Sequence, residues 1–557
     1  MSNKLRISLA QLNPKVGDIK SNLELAYLAF AKARANGSDI LMFSELFLSG
    51  YFPDDLLFKP QFVNDAIKAA KQLAKATAEY DFDLLLPTIW LKKGKLYNAI
   101  IHASGGKIIA KRFKHELPND DVFYEKRYFN AGKLPKPVTI KGIKIGLPIC
   151  EDIWHKPVCS HLAEQGAEIL LCPNGSPYWK NKHYLRRELV KSRVKETGLP
   201  LLYLNQVGGQ DELVFDGASF GYNAKGELAF EGESFKEDFI VTDWKKTADG
   251  WHFEQGRNVD LVSVDEAPWR ACVLGLRDYL HKNGFEKVVL GLSGGIDSAL
   301  VAAIAVDAVG ADNVHTIMMP YRYTAKSSLD DAKLCAKNLG VRCDIVEIAE
   351  PVEAALDGLS DIFAGHKKDV TEENIQSRIR GTILMAVSNK LGSMLLTTGN
   401  KSEMAVGYAT IYGDMNGGFN PIKDLTKMQV YHFANWRNEN MPDDCLGVAG
   451  EIIPKSIINK APSAELAEGQ VDQDSLPPYP VLDAILEAMV EQEKSIAQIV
   501  QLGFDYQLVK RIEKMLNIAE YKRRQSAPGV KLTKKAFGMG RKYPITNGYR
   551  DESNKND

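Results

Sequence analysis

One segment, LGLSGGIDSALV at 290–301, restricts the fold of this 557-residue chain more than any other. It joins an apolar run at 288–292 to a helical apolar run at 298–309 through a tight loop with two adjacent glycines. A strand that turns so quickly into a helix is typical of a parallel sheet covered by helices. The alternation then continues over three more runs: 314–320, 326–339 and 343–348. The second half is therefore predicted to be a doubly wound parallel sheet.

The first half mixes hairpins with helices. Leu5, Ile7 and Leu9 share one face of a first strand, and hairpins are expected at Gly105-Gly106 and at Lys141-Gly142. The remaining predicted strands of this half are 40–43, 84–89, 97–103, 107–113, 143–149 and 169–172, followed by further strands from 200 to about 243. Its predicted helices are 22–35, 64–80, 157–166 and 184–197. This mixture predicts sheets whose outer faces are covered by helices, and it argues against a purely parallel barrel.

The length of the chain requires more than one core, because single cores stop growing near ~250 to 300 residues. The pattern is lost in a polar stretch that contains Gly250 and Gly256, and a new helix begins at Asp265. We therefore predict a first domain at 1–245, a linker at 246–264, a second domain at 265–545 and a polar, frayed tail at 546–557. Residues 456–480 are rich in Ser, Pro, Asp and Gln and are expected to form a mobile active-site loop.

Composition excludes several classes of protein. Lysine and arginine number 70 against 71 aspartates and glutamates, so no global field attracts nucleic acid or an anionic membrane. The N-terminus lacks the features of a signal peptide, and no apolar run approaches the ~20 residues that span a bilayer. Seven cysteines without a CxxC pair favour reduced thiols. We expect a cytoplasmic protein that binds neither nucleic acid nor a membrane.

Three reactive side chains of the first half lie where predicted strands end: Glu45, Lys114 and Cys150. A thiol must lose its proton to attack an amide carbon, a carboxylate can take that proton, and an ammonium group can stabilise the anionic intermediate. Each residue alone also has an ordinary explanation. The cysteine could be packed core, the lysine a solvated strand edge, and the glutamate a partner of a helix cap.

The strings around these residues resemble a known family. FSEL around Glu45, FKHELPN around Lys114 and PICEDIW around Cys150, in this order, are similar to the nitrilase-type amide hydrolases. The resemblance covers the whole first half and implies a four-layer sandwich of helix, sheet, sheet and helix. It also implies that Glu45 is the general base, Lys114 the support of the oxyanion and Cys150 the nucleophile.

Within that family, the stretch PNGSPYWKNK resembles the glutaminase domain of glutamine-dependent NAD synthetases. The resemblance implies that Ser176 and Lys182 hold glutamine; a helix cap and a solvated lysine are the ordinary alternatives. Asp120 stands where the family usually has an aromatic residue that helps to seat glutamine. We therefore place Asp120 with the glutamine-binding residues, as a departure from the family pattern.

The tight loop of the second half has the chemistry of a phosphate site. Adjacent glycines let backbone amides approach an anion, a helix N-terminus adds partial positive charge, and Ser293 and Ser298 add hydroxyl donors. The loop lacks the GxxxxGK[ST] of a Walker motif and the GxGxxG of a Rossmann site. An ordinary glycine turn capped by serine is the alternative. The candidate ATP-binding residues here are Gly291, Leu292, Ser293, Gly294, Gly295, Ile296, Asp297 and Ser298.

GLSGGIDS resembles the signature loop of the ATP pyrophosphatase family, whose members cleave ATP to AMP and pyrophosphate while activating an acid. The resemblance implies a domain of the adenine nucleotide alpha-hydrolase type. Asp297 would then help to hold Mg²⁺, because a hard cation that bridges phosphates prefers carboxylate oxygen.

Further motifs narrow the acid that is activated. EENIQSRIRG, LLTTGNKSE, GYATIYGDMNGGFNPIKDLTK and EYKRRQ resemble the NAD synthetase branch of that family. The resemblance implies that Thr398 contacts ATP and that Glu403 completes the metal site and contacts substrate. It implies that Asn374, Asp414 and Lys522 hold deamido-NAD. A helix surface, a strand, a helix cap and a solvated basic run are the ordinary explanations for Asn374, Thr398, Glu403 and Lys522.

Both halves together imply glutamine-dependent, ATP-dependent amidation of nicotinic acid adenine dinucleotide (deamido-NAD) to NAD, with Mg²⁺ as cofactor. The family resemblance further implies an enclosed passage for ammonia and a homo-oligomer. Two other readings stay open. The chain could be another amidotransferase of the same ATP-cleaving type that acts on a different acid, or a non-catalytic nucleotide-binding or assembly protein.

Overall fold

In a computed structural model the chain divides into two compact units, Met1–Ser263 and Val264–Asp557, called here the N-terminal and the C-terminal unit. The structure describes residues 3–248 and 250–553. Within this part of the chain, no helix is both long enough and apolar enough to cross a membrane.

The N-terminal unit contains two large sheets and a two-stranded hairpin. Its strands are β1 (Lys4–Gln11), β2 (Ile40–Phe43), β3 (Asp83–Lys92), β4 (Lys95–Ser104), β5 (Lys107–Phe113), β6 (Val138–Ile140), β7 (Ile143–Gly146), β8 (Ile169–Asn174), β9 (Leu201–Asn205), β10 (Val207–Gln210), β11 (Leu213–Asp216), β12 (Phe220–Tyr222), β13 (Leu228–Glu231), β14 (Asp238–Thr247) and β15 (Gly250–Gln255). Its helices are α1 (Ile19–Ala35), α2 (Pro60–Ala76), α3 (Lys156–Glu164) and α4 (Lys182–Thr197).

These elements form four layers. The first sheet has the order β15-β14-β1-β2-β3-β4-β5, and the second has the order β13-β12-β9-β8-β7-β6. Leu5, Ile7 and Leu9 point from β1 into the core between the sheets, as their alternation predicts. Helices α1 and α2 cover the outer face of the first sheet, and α3 and α4 cover that of the second. The predicted sandwich of helix, sheet, sheet and helix is confirmed.

The segment 246–264, predicted as a linker, is partly a strand. β15 pairs with β14 in antiparallel register and forms the edge of the first sheet. Phe253 packs against Trp244 at a ring distance of 5.4 Å, and Trp251 donates a hydrogen bond to Glu168. Because most residues of this edge strand are polar, the sequence pattern did not predict a strand here, although two aromatic rings attach it to the unit. The sheet therefore extends beyond the predicted end of the first domain at residue 245.

The C-terminal unit is built on a four-stranded parallel sheet. Its strands are β16 (Val288–Gly291), β17 (Val314–Met318), β18 (Arg342–Ile345) and β19 (Met394–Leu395). Its helices are α5 (Glu266–Lys282), α6 (Ile296–Val309), α7 (Lys326–Leu339), α8 (Ala349–Gly358), α9 (Val370–Leu391), α10 (Lys401–Val406), α11 (Lys427–Glu439), α12 (Lys455–Asn459), α13 (Tyr479–Leu486), α14 (Ile496–Gln501), α15 (Tyr506–Ile518) and α16 (Glu520–Arg523).

The order of this sheet is β18-β17-β16-β19. β17 and β18 are added on one side of β16 and β19 on the other, so the topological switch point lies between β16 and β19. In open parallel sheets, ligands bind in the crevice at the carboxyl ends of the strands on either side of such a switch. The segment from Ser293 to Ser298, a tight loop that continues into the first turn of α6, follows β16. Thr398 follows β19. The doubly wound fold is confirmed, and its topology brings these two segments to one edge.

Two expectations about the C-terminal unit differ from the structure. Residues 456–480, expected to be an irregular loop, contain α12 and a helical turn at Asp472–Asp474. In the tail predicted to be frayed, Asp551 accepts a hydrogen bond from the backbone of Ile496 and donates one to Glu513. The carboxylate of Asp551 satisfies a free amide at the start of α14, which attaches the tail as far as residue 553. Residues 554–557 of the predicted tail lie outside the described residues.

Candidate active sites

The predicted general base of the N-terminal unit is held by three donors. Glu45 lies in a turn two residues after β2 and is fully buried. Its Oε1 accepts hydrogen bonds from Asn98 at 2.7 Å and from Lys114 at 2.8 Å, and its Oε2 accepts one from the backbone of Gly175 at 3.0 Å. These donors fix the orientation of a carboxylate that is positioned to accept a proton.

Lys114 follows β5 directly and is also fully buried. Its ammonium group donates to Glu45 and, at 2.8 Å, to a second glutamate, Glu125, which also accepts a hydrogen bond from Tyr51. Burial lowers the pKa of Lys114, but the charges of Glu125 and Glu45 outweigh it and raise the pKa well above its usual value. These two carboxylates therefore favour the charged form of Lys114.

Cys150 is buried and lies near the same charges. It does not end a strand as predicted, because β7 ends at Gly146 and Cys150 begins a helical turn, Cys150–Ile153. Burial raises the pKa of the thiol well above its usual value; Glu45 raises it further and Lys114 lowers it. The thiol is therefore protonated at rest, and its attack on a substrate requires a base such as Glu45. The structure thus brings the three predicted catalytic residues together.

Ser176 is buried and locked by its neighbours. Its backbone amide donates to Asn205 at 2.9 Å, and its hydroxyl accepts from Arg186 at 3.1 Å. Arg186 also donates to the Ser176 carbonyl at 2.7 Å. It forms an ion pair with Asp216, and both side chains of this pair are buried. The Ser176 hydroxyl also interacts with the phenol of Tyr203, so this network fixes its position.

Lys182 begins α4, and its ammonium group lies over two indole rings, 4.4 Å from Trp154 and 5.1 Å from Trp179. Burial, with a contribution from the charge of Arg186, lowers the pKa of Lys182 to about 8. Asp120 is exposed, and its charge adds to the raised pKa of Glu151, the residue next to Cys150. Lys182 thus offers a half-buried cation near the thiol, whereas Asp120 stands in solvent at the edge of this region.

The phosphate loop of the C-terminal unit has the geometry that its sequence predicts. Gly294 has a φ of +80°, and a Cβ at this position would lie 2.2 Å from the carbonyl oxygen of Ser328. Both constraints require glycine. The hydroxyl of Ser298 accepts from the amide of Ser293 at 3.2 Å and lies 3.1 Å from the Ser293 hydroxyl. The Gly295 amide donates to the Ser293 hydroxyl at 3.2 Å, and the first amides of α6 follow directly, where a helix N-terminus attracts an anion.

The two predicted metal ligands share one cation. Lys427 donates to Asp297 Oδ2 at 2.5 Å and to Glu403 Oε1 at 3.1 Å. Asn400 donates to Asp297 Oδ1 at 2.8 Å and caps α10 by accepting the amide of Glu403 at 3.0 Å. Burial raises the pKa of Glu403, Lys427 lowers it in part, and Asp297 raises it again. Two carboxylates therefore converge at the end of the phosphate loop.

These residues fit a magnesium ion. Among the described residues, no cluster of three or more His, Cys, Asp or Glu side chains is arranged to hold a metal. Magnesium is commonly bound by one or two carboxylates together with substrate phosphates, and needs no larger protein cage. Asp297 and Glu403 supply two carboxylates that already attract a cation, the ammonium group of Lys427.

The residues predicted to hold the dinucleotide meet around the loop 407–414. Thr410 donates to Asn374 at 2.8 Å, and the backbone of Thr410 donates to Asp414 at 2.6 Å. Lys522 donates to the carbonyls of Gly407 and Ala409 at 2.9 and 2.8 Å. Burial raises the pKa of Asp414 to about 6 and lowers that of Lys522, which the charge of Asp414 raises in part. The two carbonyls therefore hold the Lys522 ammonium group in a fixed position beside this loop.

A cavity of about 300 Å³ unites much of this region. It is lined by the phosphate loop, by Thr398, Glu403, Asp414 and Lys427, and by 460–466 from the long segment predicted to be an active-site loop. Lys460 of that segment donates to Glu465 at 2.8 Å and to Ser328. The predicted position of the segment at the site is therefore correct; its mobility stays a prediction.

The sequence motifs did not single out three residues of these sites: Glu125, Asn400 and Lys427. Asn400 and Lys427 lie inside the quoted strings LLTTGNKSE and GYATIYGDMNGGFNPIKDLTK, so their signal was present. Glu125 follows Lys114 by 11 residues, in a loop without a periodic pattern.

Each unit of the chain matches a known family model. Residues 6–252 match the family model "Carbon-nitrogen hydrolase", and 268–526 match "NAD synthase". The chain is similar to the glutamine-dependent NAD(+) synthetases of Rhodobacter capsulatus, 52% identical over 99% of this chain and 100% of the relative, and of Thermotoga maritima, 42% identical over 98% and 99%. It also resembles the solved structure of the Acinetobacter baumannii glutamine-dependent NAD+ synthetase in complex with ADP, at a TM-score of 0.78 and 38% identity over 99% of this chain and 100% of the other.

Proposed function

Because this chain belongs to the family of glutamine-dependent NAD(+) synthetases, we propose that its two units carry out the two half-reactions of that family. The enzyme hydrolyses glutamine in the N-terminal unit and uses the ammonia to amidate deamido-NAD in the C-terminal unit. The observation that supports this proposal is the occurrence in one chain of a buried Glu45–Lys114 pair near Cys150 and of a glycine loop at a topological switch point.

In the first half-reaction, Glu45 takes the proton of the Cys150 thiol as the sulfur attacks the side-chain amide carbon of glutamine. The Lys114 ammonium group stabilises the negative charge that develops on the amide oxygen. The proton then passes to the leaving nitrogen, ammonia departs, and a glutamyl thioester remains on Cys150. Water, deprotonated by Glu45, attacks the thioester and releases glutamate and the thiol. A fully buried base and cation have little water to screen them, which strengthens both effects.

The glutamine is oriented at its other end by Lys182. A half-buried ammonium group that is already stripped of much of its water is suited to bind the α-carboxylate of glutamine. Ser176, held by Arg186 and Asn205, contacts glutamine through its hydroxyl group. Asp120, on the exposed edge, is positioned to act on glutamine through charge alone.

In the second half-reaction, the carboxylate of deamido-NAD attacks the α-phosphorus of ATP, pyrophosphate departs, and an acyl adenylate forms. Ammonia then attacks the acyl carbon, AMP departs, and NAD is formed. The phosphates bind to Gly294 and Gly295 and to the start of α6. Thr398, which follows β19 on the other side of the switch point, contacts ATP. Asn374, Asp414 and Lys522 orient the dinucleotide.

Mg²⁺, held by Asp297 and Glu403, supplies positive charge to the phosphates when it is bound. Lys427 keeps the two carboxylates in register and adds its own charge beside them. At neutral pH free ammonia is mostly ammonium, which cannot attack a carbonyl, so an enclosed passage between the half-reactions is part of this proposal. A homo-oligomeric, cytoplasmic enzyme is the corresponding expectation for its state in the cell.

The test is one reaction mixture with deamido-NAD, ATP, Mg²⁺ and glutamine, in which NAD, AMP, pyrophosphate and glutamate are all quantified. We expect equal amounts of NAD and AMP, with at least as much glutamate. A mixture in which nicotinic acid or another acid replaces deamido-NAD controls for specificity. Glutamate without NAD would retain the glutaminase and require a different acid, and the absence of both products would contradict the proposal.

A further inference from the structure

Asp152 lies two residues after Cys150 and is 1% exposed. Its carboxylate accepts three backbone hydrogen bonds, and all three come from residues within two positions of Lys114 or Cys150. Oδ1 accepts from the amides of His115 at 3.0 Å and Glu116 at 2.8 Å, and Oδ2 accepts from the amide of Ile149 at 2.9 Å. One side chain therefore joins two segments that are more than thirty residues apart in sequence.

One end of this bridge holds the lysine. His115 and Glu116 directly follow Lys114, where β5 has ended and the backbone no longer pairs with its sheet. A loop of this kind has amides that need acceptors when they are buried. Oδ1 of Asp152 satisfies two of them in succession. Together with the bonds of the Lys114 amide to the Asn98 carbonyl and of the Gly132 amide to the Lys114 carbonyl, it holds the backbone that carries the Lys114 side chain.

The other end holds the nucleophile. Cys150 has a φ of +43°, a left-handed conformation that is unfavourable for a residue with a side chain. Such a conformation persists where neighbouring contacts determine it. Asp152 supplies two of them, because its amide donates to the carbonyl of Ile149 at 3.0 Å while its Oδ2 accepts the amide of the same residue. The turn that presents the thiol is thus closed from both sides.

We propose that Asp152 is a positioning residue of the glutaminase site, which sets the separation between the Lys114 ammonium group and the Cys150 thiol by bonding the backbone beside each of them. The inference rests on the catalytic roles proposed for Lys114 and Cys150. Asp152 itself acts through the backbone, and its oxygens are used by the three amides.

The charge of this group fits the role. Burial raises the pKa of Asp152 to about 6, while the amides of Glu116, Ile149 and His115 and the charge of Lys114 lower it in part. At pH 7.5 the group is mainly ionised, and a carboxylate can accept from all three amides at once. A carboxamide in its place has one acceptor oxygen, so at least one amide would face an NH₂ group.

The experiment is Asp152→Asn in the full-length chain, assayed for glutamine hydrolysis and for NAD synthesis with added ammonia. Because a displacement near 1 Å at a catalytic group costs about 10²-fold, we expect kcat for glutamine hydrolysis to fall by about 10-fold to 100-fold. The KM for glutamine should stay within about three-fold, since Lys182 and Ser176 lie outside the bridge. Synthesis from ammonia should be unchanged.

Asp83→Asn is the matched control. Asp83 is a buried aspartate of the same unit that contacts His102 at 2.6 Å, at the amino end of β3 and away from the trio. Its variant should keep the kcat of the unaltered enzyme. An unchanged kcat in Asp152→Asn, an equal loss in both variants, or a loss carried by KM alone would overturn the inference.

A second measurement covers the case in which Asp152→Asn does not fold. In the unaltered protein, hydrogen exchange at the amides of 115, 116 and 149 should be slow although these residues lie outside strands and helices. Exchange at the rate of an open loop would overturn the bridge. If the unaltered enzyme hydrolyses no glutamine, the proposed function fails instead, and the exchange measurement still tests the contacts.

Discussion

Lys114 donates a 2.8 Å hydrogen bond to Glu125, a residue that no motif of the sequence singles out. Burial raises the pKa of Glu125 to about 7, and the charge of Lys114 lowers it in part. In return, the charge of Glu125 raises the pKa of the buried lysine more than the charge of Glu45 does. Glu45, the proposed base, therefore shares its cation with a second carboxylate, and the protonation of Lys114 is linked to that of Glu125.

Glu125→Gln is expected to lower kcat for glutamine hydrolysis by about 10-fold to 100-fold. The amide keeps a hydrogen-bond acceptor but removes the charge that stabilises the Lys114 ammonium group, so the proton of Lys114 can pass to Glu45 and block the base. Steady-state hydrolysis assays measure the loss. NAD synthesis from ammonia should persist, and Glu188→Gln, at an exposed ion pair with Lys191, should match the unaltered enzyme.

Cys150→Ala separates the two activities. Without the sulfur no thioester can form, so glutamine-dependent synthesis should fall below detection while ammonia-dependent synthesis is retained. Comparing NAD formation with each nitrogen donor measures both. The control is Cys343→Ala, at a half-buried cysteine of the C-terminal unit. Equal loss of the two activities in Cys150→Ala would contradict the assignment of glutamine hydrolysis to a site of its own.

The pKa of Lys182, lowered to about 8 by its burial, predicts how glutamine binding depends on pH. Above pH 8 the group becomes neutral and loses its attraction for a carboxylate, so the KM for glutamine should rise by about 10-fold from pH 7 to pH 9. Lys182→Arg should remove most of this rise, because a guanidinium group stays charged throughout this range. A KM that rises equally in both proteins would assign the effect to another group.

Strand and helix periods predicted sheets covered by helices and the doubly wound sheet, and the family resemblance implied the four layers. The catalytic roles of Glu45, Lys114 and Cys150 stay a prediction; the structure places each of these residues within a few residues of a strand end. What the sequence did not predict depends on long-range contacts between polar groups. Lys427 meets Asp297 across 130 residues, and Asp551 reaches α14 across 55 residues, from a stretch whose composition is that of a solvated tail. No period or propensity encodes such a pairing.

Lys427→Met tests the cation that joins Asp297 and Glu403. The methionine fills a similar volume but leaves two half-buried carboxylates facing each other without their shared partner. Removing one member of a fully buried ion pair destabilises a protein by about 3 to 5 kcal/mol, which is the upper limit of the loss expected here. We expect AMP and pyrophosphate formation to fall by at least about 100-fold with either nitrogen donor, because the phosphates lose both this charge and an ordered pair of metal ligands. Glutamine hydrolysis measured without ATP should be retained if the lysine acts in the C-terminal unit alone.

Calorimetry separates the loss of stability in Lys427→Met from the loss of catalysis. Excess Mg²⁺ should restore part of the melting temperature by taking the place of the ammonium group between the carboxylates. Lys390→Met, at an exposed lysine near the end of α9, is the control. Normal pyrophosphate release from Lys427→Met would show that the two carboxylates hold their positions without it.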